Sequence, residues 1–138
     1  MQAKDIMRRE VIAVRETDSV AQLVELFVRE HIHGAPVLDE NDGLVGVVTQ
    51  QDIFFSTMTL GVTEDAASPT VSGVNSLSVA DIMTRPAVSA NEETDIGSLC
   101  RIMTRLRIHR IPIVSRGRVS GMVSSLDVCR AVGERGLA

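Results

Sequence analysis

Ile108-His109-Arg110-Ile111-Pro112-Ile113-Val114 is followed by Gly121-Met122-Val123-Ser124-Ser125-Leu126-Asp127, and both stretches have a counterpart earlier in the chain. Ile32-His33 and Pro36-Val37 stand 76 residues before Ile108-His109 and Pro112-Ile113. Asp5-Ile6-Met7 stands the same 76 residues before Asp81-Ile82-Met83. Gly46-x-x-Thr49-x-x-Asp52 precedes Gly121-x-x-Ser124-x-x-Asp127 by 75, so one residue is missing where a hairpin turn is expected. A duplication this long means two copies of one small unit, and a cleft of approximate twofold symmetry is expected between them.

The chain has 138 residues. That length suits one compact domain or two intimate halves of about 60 residues, each too small to bury much core alone. Composition is that of an ordinary globular protein, with 44% apolar and 23% charged residues. No apolar run approaches the ~20 residues a membrane span needs, and the N-terminal stretch carries charges throughout rather than an apolar signal core. A cytoplasmic protein without membrane contact is expected. Cys100 and Cys129 sit in apolar helical patterns and read as buried free thiols.

Net charge is −4, unevenly spread: residues 1–78 carry −7 and residues 79–138 carry +3, the bases of the latter all arginines. The overall acidity argues against a nucleic-acid surface. With no Trp or Tyr and three Phe, the chain has little for base stacking. An arginine excess in the second part suits a small anionic ligand.

Each repeat reads as strand, helix, hairpin, helix. In the first, strands are expected at Val11–Val14, Ala35–Leu38 and Leu44–Val48. A helix capped within Thr17-Asp18-Ser19 precedes the hairpin, and another opens at Thr49 with Ile53, Phe54 and Met58. In the second, strands are expected at Ala87–Ser89, Ile111–Val114 and Val119–Val123. One helix is capped by Thr94 or Asp95. The hairpin closes around Arg116-Gly117, and the last helix starts at Ser124, with Gly133 and Gly136 fraying its end. This gives repeats at 1–60 and 79–138 and a Gly/Ser/Thr-rich linker at 61–78.

The order and the quoted motifs resemble a tandem pair of cystathionine-β-synthase (CBS) domains, a Bateman module, over nearly the whole chain. The resemblance implies an α/β (α+β) fold of two β-α-β-β-α repeats packed sheet to sheet with pseudo-twofold symmetry. It implies a regulatory role, not catalysis. An adenine nucleotide such as AMP, ADP or ATP would bind in the cleft between repeats, with no obligatory cofactor. A homodimer and a regulated partner protein of unknown identity are implied as well. A ligand-independent interaction or oligomerisation module is the alternative.

Thr49 with Asp52, and Ser124 with Asp127, have capping-box spacing at helix starts. Independently of capping, a carboxylate suits the two hydroxyls of a ribose, and the helix N-terminus suits ribose or phosphate oxygens. The resemblance places His33, and the pair His109-Arg110, beside the ligand phosphates, where Arg110 can bind bidentately. Gly34 stands where the first repeat lacks that arginine, so the half with Asp127 and Arg110 is expected to fill first. Gln51 and Leu126 stand where the family often has a further hydroxyl. Pro36 and Pro112 are expected at strand entrances. The backbone around Ala13 and Val88 is a candidate aliphatic wall for adenine. His31-x-His33 lacks a third ligand at metal-site spacing, so no metal is expected, and no nucleophile–base–acid set emerges.

Overall fold

The protein is described by a computed structural model covering residues 1–60 and 76–136. Most of the expected linker, residues 61–75, lies outside the described residues. Each repeat opens with one helical turn absent from the sequence expectation: α1 (Ala3–Ile6) and α4 (Val79–Ile82). The first repeat continues with β1 (Val14–Arg15), α2 (Val20–Glu30), β2 (Gly34–Leu38), β3 (Leu44–Thr49) and α3 (Gln50–Leu60). The second continues with β4 (Ala90–Asn91), α5 (Ile96–Leu106), β5 (Arg110–Ser115), β6 (Arg118–Ser124) and α6 (Ser125–Arg135). The result is a mixed α+β fold with two three-stranded sheets, ordered β1-β2-β3 and β4-β5-β6. Among the described residues no helix is long and apolar enough to cross a membrane.

Local chemistry accounts for the helices. Ser19 caps α2: its hydroxyl accepts the Gln22 N–H at 3.0 Å, and the Gln22 side chain accepts the Ser19 N–H at 2.9 Å. Val20, Leu23 and Phe27, three and four apart, form the buried stripe of that helix. Asp95 rather than Thr94 caps α5, where Leu99 and Met103 play the same part. Both helices end on a residue in the left-handed region, His31 and Arg107. Gly133 lies inside α6, and Gly136, with φ 83°, ends it. Cys129, expected to be buried, is exposed because it falls off the stripe that α6 turns inward, where Ala131 is buried.

Two strand expectations need correction. β1 and β4 start three residues later than the apolar runs suggest, because their extent is set by parallel pairing of Val14 with Val37 and of Ala90 with Ile113. The prolines are not at strand entrances. Pro36 and Pro112 are the third residues of the central strands β2 and β5, opposite Val47 and Met122. The carbonyls of His33 and His109 accept N–H groups of Gln50 and Ser125, both at 2.8 Å, on the hairpin side. By alternation each proline then faces away from its hairpin partner. On that side β1 and β4 begin pairing only at Val37 and Ile113, so no ladder bond is lost.

The spatial units differ from the sequence repeats. One unit is Met1–Val11 with Val88–Ala138; the other is Ile12–Ala87. Each sheet therefore receives the opening turn of the other repeat. In the first-sheet unit Val79 N–H donates to Asp18 at 2.8 Å, and Thr84 and Val47 exchange backbone bonds at 2.9 and 3.0 Å. In the second, Ala3 N–H donates to Thr94 at 2.7 Å, and Arg8 and Met122 exchange bonds at 2.9 and 3.0 Å. The cores follow suit. Val79 and Met83 join Val14, Leu23, Phe27, Ala35, Val37 and Val48. Ala3 and Met7 join Leu99, Met103, Ile111, Ile113 and Val123.

Candidate functional site

The residues singled out in the sequence fall into two equivalent groups, one in each unit. In the first-sheet unit, Thr49 ends β3 and opens α3. Its hydroxyl accepts the Asp52 N–H at 3.3 Å, while Asp52 Oδ2 accepts the Thr49 N–H at 2.8 Å and lies 3.2 Å from the hydroxyl. Asp52 Oδ1 accepts the Thr84 hydroxyl at 3.3 Å. Asp52 is half-buried. His33, immediately before β2, is exposed, and its carbonyl anchors the first N–H of α3. Ala13 is exposed and Ile12 half-buried, just ahead of β1.

In the second-sheet unit the same construction recurs at β6 and α6. The Ser124 hydroxyl accepts the Asp127 N–H at 3.1 Å, and Asp127 Oδ2 accepts the Ser124 N–H at 2.8 Å. Asp127 is buried, and its Oδ1 accepts from both Arg8 Nε and Arg130 Nη1 at 3.1 Å. Burial alone would raise this carboxyl, but the Ser124 backbone N–H, the Arg8 guanidinium and the Ser124 hydroxyl outweigh it and hold it below the usual carboxylate range. Arg8 is the residue the sequence reading missed. It lies 119 positions from Asp127, and only the exchange of opening turns brings the two together.

Arg110 heads β5 and pairs across the hairpin with Ser124. Its guanidinium is half-buried and makes no hydrogen bond or ion pair among the described residues. Burial pulls its pKa below the ordinary arginine value. A partly desolvated cation whose donors have no protein partner among the described residues is chemically suited to an oxyanion. His109 beside it is exposed, Pro112 is buried and Val88 is half-buried. The charge surrounding the two groups differs. The unit holding Arg110 has eleven basic and seven acidic residues, and the unit holding Asp52 three and eleven. No group of three or more metal-binding side chains occurs among the described residues.

A model of the CBS domain matches residues 3–57 and 79–134. Among curated relatives, inosine-5'-monophosphate dehydrogenase of Korarchaeum cryptofilum is 34% identical over 128 residues, covering 91% of this chain and 23% of that enzyme. The chain spans less than half the length of three other relatives it matches, all of Methanocaldococcus jannaschii, although it covers 91% of a further uncharacterized protein of that organism at 25% identity. Among solved structures, a CBS domain pair in complex with 5'-methylthioadenosine and S-adenosyl-L-methionine superposes with a TM-score of 0.81 at 25% identity, covering 98% of each chain. CBSX2 in complex with AMP gives 0.79 at 26% identity, covering 96% of each.

Proposed function

The chain belongs to the CBS domain family, and from that membership and the chemistry of its two residue groups we propose that it is a regulatory module sensing an adenine nucleotide of the AMP, ADP or ATP type. The observation that carries the reading is Arg110, a half-buried guanidinium with no partner among the described residues, on the strand paired with Ser124. Partial desolvation disfavours an unpaired cation, and a phosphate supplies acceptors that the described residues do not. The similar chains solved with AMP, 5'-methylthioadenosine and S-adenosylmethionine share an adenosine moiety, which supports the base and sugar part. The roles are assigned within each group. In the second-sheet unit His109 is the phosphate-side candidate, the Ser124 hydroxyl and the Asp127 carboxylate are the sugar candidates, and Pro112 and Val88 offer aliphatic contacts to the base; in the first-sheet unit His33, Thr49, Asp52 and Ala13 take the same parts.

The role is signalling rather than catalysis: the ligand shifts the population between two conformers that a partner protein distinguishes, which requires different ligand affinity for the two. Calorimetric titration of AMP, ADP, ATP, S-adenosylmethionine and adenosine tests the binding step. Arg110→Ala is expected to weaken AMP by about 10-fold or more, the scale of a charge-assisted hydrogen bond, and adenosine far less. Equal losses for both would remove the phosphate role. Absence of wild-type binding at millimolar ligand would remove the nucleotide reading.

A second reading, a ligand-independent interaction module, is favoured by α3. Phe54, Phe55 and Met58 stand 51%, 55% and 56% exposed on it. A contiguous apolar face of that kind marks an association surface, and the occupant proposed is a second copy of this chain. Light scattering at tens of micromolar is expected to give a dimer mass, about twice that of the chain, and Phe54→Ser with Phe55→Ser a monomer.

A further inference from the structure

Asp127, a sugar candidate, is already engaged by the chain itself. Its side chain is 1% exposed. One oxygen accepts the Ser124 N–H at 2.8 Å, and the other accepts Arg8 Nε and Arg130 Nη1, both at 3.1 Å. A carboxylate offers about four lone-pair positions, and a vicinal diol needs two of them. With three bonds already made, one arginine has to leave before a diol can be held. Arg130 sits three residues away on the same helix, and its side chain is 51% exposed. Arg8 reaches in from a separate segment, and its side chain is 64% exposed, so water takes it back more readily. The first-sheet unit has no such contact. Thr84 stands there in the place of Arg8, exchanging backbone bonds with Val47 as Arg8 does with Met122. It gives Asp52 only a neutral hydroxyl bond of 3.3 Å.

Arg8 ends the exchanged N-terminal segment. Met7 before it is buried in the second core, and Ala3 donates its N–H to Thr94 at 2.7 Å. The Arg8–Asp127 contact therefore ties that segment to the start of α6, where the sugar candidates lie. We propose that Arg8 is an internal competitor for the second-sheet site: its guanidinium holds the Asp127 oxygen that a ligand diol requires, so ligand binding and docking of the N-terminal segment oppose each other. The opposition is reciprocal. Whatever factor Arg8 takes from ligand affinity, a bound ligand takes from the hold on the segment. A segment that loosens as ligand binds is a signal available to a partner protein. The competitor role of Arg8 rests on the nucleotide reading above, to which it adds the residue that transmits occupancy.

Two measurements on the full-length chain decide it. The first is calorimetric titration of wild type and Arg8→Thr, the residue of the other unit, with AMP and with adenosine. The second is hydrogen exchange of the Met7, Arg8 and Met122 amides with and without AMP. Arg8→Thr is expected to bind both ligands about 2- to 5-fold more tightly, the scale of a part-exposed ion pair. In wild type, saturating AMP is expected to speed exchange of the three amides by a similar factor, whereas in Arg8→Thr it should not speed them, because the contact is already gone. Arg8→Thr that loses AMP but not adenosine would make Arg8 a phosphate ligand, and unchanged or weaker binding of both would make it a structural tie. Either result overturns the competition while the nucleotide reading stands, as does slower exchange of the wild-type amides with AMP. Exchange in the wild type decides by itself if Arg8→Thr melts too low to titrate. Binding by Arg8→Thr alone would support the competition in its strongest form. If neither chain binds AMP or adenosine at millimolar concentration, the nucleotide reading fails and the competitor role with it.

Discussion

At the residue scale, two glycines show how the sequence motif serves the fold. Gly46 and Gly121 of the repeated motif lie within the hairpin strands β3 and β6, with backbones outside the left-handed region. What they lack is space. A Cβ on Gly46 would lie 2.8 Å from the Thr84 carbonyl oxygen and 2.9 Å from Met83 Sδ. One on Gly121 would collide with the Met7 side chain and lie 3.1 Å from the Arg8 carbonyl oxygen. Each glycine is the point where the other repeat's opening segment crosses the sheet. Gly46→Ala is expected to cost about 1–3 kcal/mol, as overpacking does, measured by urea denaturation. Gly121→Ala should cost less than Gly46→Ala, because flexible Met7 is its nearest neighbour and Met7 can move. Asp127 adds a pH signature. Its carboxyl is held below the usual value in the folded chain, so its contribution is full above the unfolded pKa of about 3.9. That contribution fades as pH falls through the lower folded value. Asp127→Asn should therefore narrow the gap between the stabilities measured at pH 7 and at pH 3, and an unchanged gap would contradict the ion-pair assignment.

Among the elements, the amphipathic helices were legible because their signals are local. Ser19 with Gln22, and Leu23 with Phe27, lie within one or two turns of each other. The hairpin turn at Arg116-Gly117 was equally local: with φ 53° and 77° it is a two-residue turn of the type that needs positive φ at both positions. Strands β1 and β4 were misplaced because two residues of strand have almost no propensity signal of their own. Their position comes from pairing with β2 and β5, more than twenty residues away in sequence. The turns α1 and α4 went unread for a similar reason. One helical turn is unstable alone, and its repeated Asp-Ile-Met is intelligible only when Asp5 and Asp81 are seen accepting the N–H groups of Gln2 and Ser78, both at 2.8 Å. Half of the candidate site was read from its motifs. The Arg8 contribution was not, because no local rule links residue 8 to residue 127. At this scale Ser19→Ala should cost about 1 kcal/mol through loss of the α2 cap. A melt unchanged from wild type would show the cap to be dispensable.

The whole molecule is organised by exchange, and that determines which piece of it can stand alone. A chain of residues 1–60 contains the first repeat as the sequence shows it, but it lacks Val79 and Met83, which are buried in its own core. It also lacks the Val47–Thr84 backbone pair. A chain of residues 79–138 has the opposite fault. It loses Ala3 and Met7 from the core around Leu99, Ile111 and Val123, and it leaves Asp127 without Arg8. Full burial of one methionine-sized side chain is worth about 1.5–3 kcal/mol, and Asp127 loses one of its two arginine bonds while Arg130 remains, a loss of about 1 kcal/mol because Arg8 is largely exposed. Together these are a large part of the stability of a unit this small, which is about 3–5 kcal/mol. Residues 79–138 alone are therefore expected to show no cooperative melt. A peptide of residues 1–11 added in trans should restore one in a saturable manner, and the same peptide carrying Arg8→Gln should do so more weakly, because it brings back Ala3 and Met7 but not the partner of Asp127. Residues 12–87, contiguous in sequence and complete in core, should retain more helical circular dichroism per residue and a higher melting point than residues 1–60. Equal behaviour of 1–60 and 12–87, or cooperative melting of 79–138 without the peptide, would show that the exchanged turns decorate the sheets instead of completing them.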